Sequence, residues 1–99
     1  MLVFPPLANH ASLPKAFRIL TRQGKNAPGG AYSYVINGRM LAGFAMIAYP
    51  AQYGQSGVMT FIVSHNGKVY EKDMGKQSTA LAAKIASFDP GAGWKEVAP

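Results

Sequence analysis

Cysteine is absent from these 99 residues, which excludes disulfides, thiolate metal sites and a cysteine nucleophile. Acidic residues are scarce and late. All four (Glu71, Asp73, Asp89, Glu96) lie in the last third, where they offset Lys72, Lys76, Lys84 and Lys95. Before them Lys15, Arg18, Arg22, Lys25, Arg39 and Lys68 stand unopposed, so the net charge of +6 belongs to the first two-thirds. Such asymmetry marks an anion-binding face or the want of an acidic partner segment. Long apolar runs are missing too. A membrane-crossing helix needs roughly 18 apolar residues, whereas the longest run, residues 40–50, is one strand long and contains Gly43. No signal peptide is expected, because Pro5-Pro6 interrupts the opening Met1-Leu2-Val3-Phe4 and no basic residue precedes it.

What is present describes a folded chain. Nearly half the residues are apolar (48%) and only 14% are charged, a balance that supports a core rather than disorder. The length suits one domain. Residues 1–14 hold three prolines and no periodicity and read as an irregular N-terminal arm; residues 15–99 read as a single α+β domain.

The domain is expected to be an antiparallel β-meander of four to five strands with one C-terminal helix packed on it. Phe17, Ile19 and Thr21 alternate with Arg18, Leu20 and Arg22, which favours a strand over residues 15–23. Four of the seven residues in 24–30 are Gly or Pro, a loop. Asn37-Gly38 and His65-Asn66-Gly67 each separate strand-like runs, and Asn-Gly is the strongest short-range hairpin signal because both central residues of a type I′ turn need positive φ. Residues 40–49 read as one long central strand with Met40, Ala42, Phe44, Met46 and Ala48 on one face and Leu41, Gly43, Ala45, Ile47 and Tyr49 on the other. Neither face is polar, so both call for cover. Met59, Phe61 and Val63 share a face of the next strand, and the charged run 68–74 reads as an edge.

Leu81, Ile85 and Phe88 form a helical stripe over 79–88, with Ser78 or Thr79 as cap and Pro90 as stop. Ten helical residues span about 15 Å, against roughly 33 Å for a ten-residue strand. One such helix leaves sheet uncovered.

Tests for chemistry come out against it. Gly24 to Gly30 has P-loop spacing, but Gly30-Ala31 stand where the motif needs Lys and Ser/Thr. Gly54-Gln55-Ser56-Gly57 is one residue short of a nucleophile elbow and joins strand to strand. His65 sits in a turn with every acid at or beyond Glu71, and His10 adds no metal-ligand spacing. No catalytic, metal or cofactor-binding residue is expected. Tyrosines interleaved with basic residues suit a single-stranded nucleic acid, but no RNP-like or KH-like signature accompanies them.

Several segments together resemble one bacterial family: Phe17-Arg18-Ile19-Leu20-Thr21, GKNAPGGAYSY over 24–34, VINGRMLAGFAMIAYP over 35–50, Tyr53-Gly54, Ser56 to Phe61, Asn66 to Tyr70, Lys72-Asp73 and Phe88-Asp89-Pro90. They are similar to the C-terminal part of the uncharacterised domain of unknown function 2950 family, over most of 17–97. The resemblance implies an exported or envelope setting and carries over no catalytic residues. Ala48-Tyr49-Pro50 with Gly57, Phe61, Gly67 and Tyr70 is also similar to the C-terminal sheet of pseudopilins, a likeness of fold alone.

The leading expectation is therefore a non-enzymatic structural or protein-interaction domain. It would meet a protein partner or a second copy through an apolar sheet face around Leu41, Phe44, Ile47 and Phe61. The alternative is a basic module binding nucleic acid or another polyanion through Arg18, Arg22, Lys25 and Arg39.

Overall fold

The computed structural model describes residues 15–55 and 57–97; the expected irregular arm, residues 1–14, lies outside them. The centre is a five-stranded antiparallel sheet. Its strands are β1 (Lys15–Leu20), β6 (Ala45–Pro50), β7 (Thr60–Ser64), β8 (Val69–Lys72) and β9 (Lys95–Glu96), in the order β1-β6-β7-β8-β9. Two two-stranded ribbons lie between β1 and β6 in the chain: β2 (Arg22–Gln23) with β3 (Tyr32–Ser33), and β4 (Val35–Ile36) with β5 (Arg39–Met40). A helix, α1 (Ser78–Lys84), follows a 3-10 turn over Gly75–Gln77. The architecture is α+β, as the pattern of the chain predicts.

Both Asn-Gly signals end in hairpins, by different turns. Asn37 and Gly38 have φ of 52° and 80°, the type I′ requirement, and join the paired residues Ile36 and Arg39. At the second hairpin only Gly67 has positive φ (85°). The Gly67 N–H donates to Ser64 O and the Lys68 N–H to Asn66 Oδ1, the three-residue loop with a left-handed glycine at its third position.

The long strand over 40–49 does not form. It breaks at Gly43, whose φ of 152° belongs to glycine, and residues 41–44 leave the sheet. A Cβ there would stand 2.5 Å from His65 Cε1 and 3.0 Å from Tyr34 Cδ1, so glycine is what admits the two rings against the chain. Nor is the charged strand an edge: Tyr70 and Glu71 of β8 pair with Glu96 and Lys95 of β9.

The helix is seven residues, not ten. It stops before Ile85, which is extended (φ −74°, ψ 119°). Ser78 is inside the helix, its hydroxyl donating to Gly75 O at 2.6 Å, and Gln77 holds the cap position without a side-chain bond. Phe88 lies past the helix. Its N–H donates to Arg22 O and its carbonyl accepts from Gly24 N–H, which draws the segment after α1 against β2.

Register sorts the sheet into faces. On one, Arg18, Ile47, Ile62, Tyr70 and Glu96 stand opposite one another in a row across all five strands. Here lies the core: Leu20, Ala45, Ile47 and Ile62 of the sheet meet Ala82 of α1, Ala27, Tyr34 and Phe88. Ala82 carries no side chain beyond Cβ, so the helix comes down close. Burying each of the larger side chains contributes about 1.5–3 kcal/mol.

Candidate functional site

On the other face, the row through Phe17, Ala48, Phe61, Glu71 and Lys95 runs beside the row through Ile19, Met46, Val63 and Val69. Seven of these nine side chains are apolar, where a half-solvated sheet presents polar ones. Phe17 is 63% exposed and Ile19 56%; Met46, Ala48, Phe61, Val63 and Val69 are half-buried among their neighbours. Among the described residues no helix covers this face. The Lys15 ammonium reaches from the start of β1 to 5.5 Å from the ring centroid of Phe61 on the central strand. Phe17 and Ile19 therefore stand as exposed apolar side chains beside a partly buried apolar row.

The residues expected to form an apolar interface are divided by the fold. Phe61 lies on the open face. Ile47 is wholly buried on the opposite one, beneath α1. Leu41 and Phe44 are exposed, but in the segment that leaves the sheet after Met40. Phe17 and Ile19, the exposed apolar members of the open face, stand outside the expected set. The alternation of β1 carries their signal, since Leu20 points to the core and its odd-numbered neighbours must point away.

The four candidate anion-binding residues are likewise separated. The Arg18 guanidinium donates from Nη2 to the carbonyls of Ala82 and Ile85, the second at 2.7 Å. It thus caps the C-terminal end of α1, sharing the Ala82 carbonyl with the Ile85 N–H. Arg22 is on β2, Lys25 in the loop after it and Arg39 on β5, all exposed.

His65 is held in place. Its Nε2 lies 3.3 Å from the Tyr32 hydroxyl and its Nδ1 3.2 Å from Phe44 N, while the rings of Tyr34 and Phe44 are 5.5 and 5.9 Å away. These neighbours are phenols, an arene and backbone. Burial, with Tyr32 adding to it, holds the Tyr34 hydroxyl above the ordinary tyrosine value of 10.0. A groove lined by Lys72, Met74, Leu81, Ile85 and Trp94 runs between α1 and the C-terminal segment, with the Lys72 ammonium 5.7 Å from the Trp94 ring centroid. Among the described residues no three His, Asp or Glu side chains converge as a metal site would need.

The chain belongs to the family described as "Protein of unknown function (DUF2950)", whose model matches residues 10–97. No curated protein and no solved structure matches it.

Proposed function

Taking membership of the DUF2950 family as the premise, we propose that this chain is a non-enzymatic protein-interaction domain that works through the open face of its sheet. The carrying observation is one-sided cover: α1 closes the face of Ile47 and Ile62, while Phe17 and Ile19 stand in the open on the other. A flat apolar face is suited to a flat apolar counterpart, and sheets so packed lie about 10 Å apart. The partner that the isolated chain has at hand is a second copy. Glu71 stands opposite Lys95 at the far edge, so what a second copy would bury about a two-fold axis is the apolar part of the face, Phe17, Ile19, Met46, Phe61 and Val63. The non-enzymatic part of the reading draws on the surroundings of His65, whose hydrogen-bond partners are the Tyr32 hydroxyl and the Phe44 backbone rather than a carboxylate. The exported, envelope setting implied by the family resemblance belongs to the same reading.

The test is absolute mass by light scattering behind size exclusion, at low and high salt, for the wild type, Phe17→Asp and Phe61→Asp. The wild type is expected to associate and to remain associated in high salt, since apolar contact is not screened. Both variants are expected to be monomeric with an unchanged circular dichroism spectrum. A wild type that stays monomeric overturns the reading, as does association undiminished in the two folded variants.

A further inference from the structure

The β4–β5 hairpin is exposed along its whole length. Every residue from Val35 to Leu41 is solvent-exposed, and four of the seven are Val35, Ile36, Met40 and Leu41. Ile36 is 46% exposed, Leu41 64%, and Phe44 just beyond 57%. Both faces of the ribbon are affected, because Val35 pairs with Met40 on one and Ile36 with Arg39 on the other. The turn itself, Asn37-Gly38, is polar, but it is flanked by four exposed apolar residues, and such a cluster is either functional or an aggregation liability.

The base of the ribbon is rigid. Tyr34 is wholly buried, its N–H donates to Thr21 O at 2.8 Å, and its carbonyl accepts from Ala42 N–H at 3.0 Å. The hairpin is thus a short apolar projection on a fixed footing, not a loose loop. Arg39 is on the ribbon with no acid between Val35 and Phe44, and Lys68 follows the 65–67 turn, whose His65 lies against Phe44 just beyond the ribbon.

We propose that this hairpin inserts into the interfacial region of an anionic lipid bilayer, with Arg39 and Lys68 on the lipid headgroups. Three residues from Val35 to the turn reach about 10 Å, which matches the roughly 5–10 Å to which interfacial elements sink; Arg39, opposite Ile36 beside the turn, reaches the headgroups along its own aliphatic stem. Charge complementarity favours this occupant, since basic residues beside an apolar element are drawn to anionic headgroups. Size disfavours a protein occupant: a stable protein interface draws on about 20–30 residues a side, and the ribbon has seven exposed residues. The inference is independent of the open sheet face, which lies on other strands.

The experiment is flotation of the full 99-residue chain with vesicles of phosphatidylcholine alone and of phosphatidylcholine and phosphatidylglycerol in equal parts. The chain is expected to float with the anionic vesicles, less so as salt rises, and to stay behind with the neutral ones. Ile36→Asp and Leu41→Asp are each expected to lower partitioning on the order of tenfold, and Arg39→Glu to lower it comparably. Circular dichroism verifies that each variant is folded. Phe17→Asp is expected to float like the wild type, which separates this inference from the sheet-face reading. Failure of the folded wild type to float with anionic vesicles overturns it, as does binding undiminished in the folded Ile36→Asp and Leu41→Asp proteins. A change in solution mass with no change in flotation assigns the hairpin to a protein contact and overturns it equally.

Discussion

The Tyr34 hydroxyl donates to Gln23 Oε1 across 3.0 Å, and both side chains are buried. The other end of the same amide is also spent within the protein: Gln23 Nε2 donates to Pro28 O at 2.7 Å and to Gly30 O at 2.8 Å. One phenol and one amide thereby tie β2, the base of the exposed hairpin and the glycine-rich loop into a single unit. A buried polar group is tolerable when its bonds are made, and costly when one partner is removed.

Tyr34→Phe is expected to lower stability by about 1–3 kcal/mol, because Gln23 Oε1 is then buried without its donor. In a domain of this size each kcal/mol lowers Tm by about 4–8 °C. Gln23→Leu is expected to cost more, since it strands the Tyr34 hydroxyl and removes the donor from two loop carbonyls. Denaturant unfolding of the three proteins measures both. An intact wild-type midpoint in Tyr34→Phe would contradict the buried bond.

Arg18 acts on the helix rather than on solvent. Arg18→Met keeps much of the aliphatic stem but removes the donor to Ala82 O and Ile85 O. The expected result is a loss of about 1–3 kcal/mol, with hydrogen exchange accelerated first in α1. Uniform acceleration over the whole sheet, with α1 no worse than the rest, would count against a local capping role.

Tyr53 and Asp73 are coupled at the surface by a hydroxyl-to-carboxylate bond of 2.7 Å. That bond, then the Gly75 N–H, holds the Asp73 carboxyl below 3.8, and the same bond holds the Tyr53 hydroxyl above 10.0. A carboxylate with a depressed folded pKa stabilises above its unfolded value, so the Asp73 contribution is present above about pH 4 and is lost as pH falls through the folded value. A phenol with a raised folded pKa works oppositely: its contribution is present below 10.0 and is lost as pH rises through the folded value. In Tyr53→Phe the Asp73 carboxyl is expected to titrate closer to 3.8, read by carboxyl-carbon NMR. An unmoved Asp73 titration would show that the Tyr53 bond does not exist in solution.

Much of the fold was legible because it is written in local chemistry. Asn37-Gly38 demanded positive φ, and the alternation in Phe17 to Leu20 and in Met59 to Ser64 demanded two-faced strands. The break at Gly43 was not legible, since apolar residues on both sides continue the same pattern. What accompanies it is the arrival of two rings against Gly43: Tyr34, nine residues back beyond the β4–β5 hairpin, and His65, 22 residues on and close only in the fold. The shortened helix has the same kind of origin: Phe88 completes the helical stripe on paper, yet its backbone bonds to Arg22 and Gly24 require an extended approach.

The apolar surface shows the division most plainly. Alternation by itself established that Ile47 and Met46 point in opposite directions, and that a single short helix would leave one apolar face without cover. It contained nothing to say which, because both faces of that strand are equally apolar. The tertiary structure decided: α1 lies over Ile47 and Ile62, leaving Phe17, Ile19 and Phe61 on the open side, and Arg18 is drawn inward to the carbonyls of the helix end. Backbone periodicity is a property of neighbouring residues and travels with the sequence. The choice of covered face depends on where residues far along the chain come to rest, and only the folded chain holds that information.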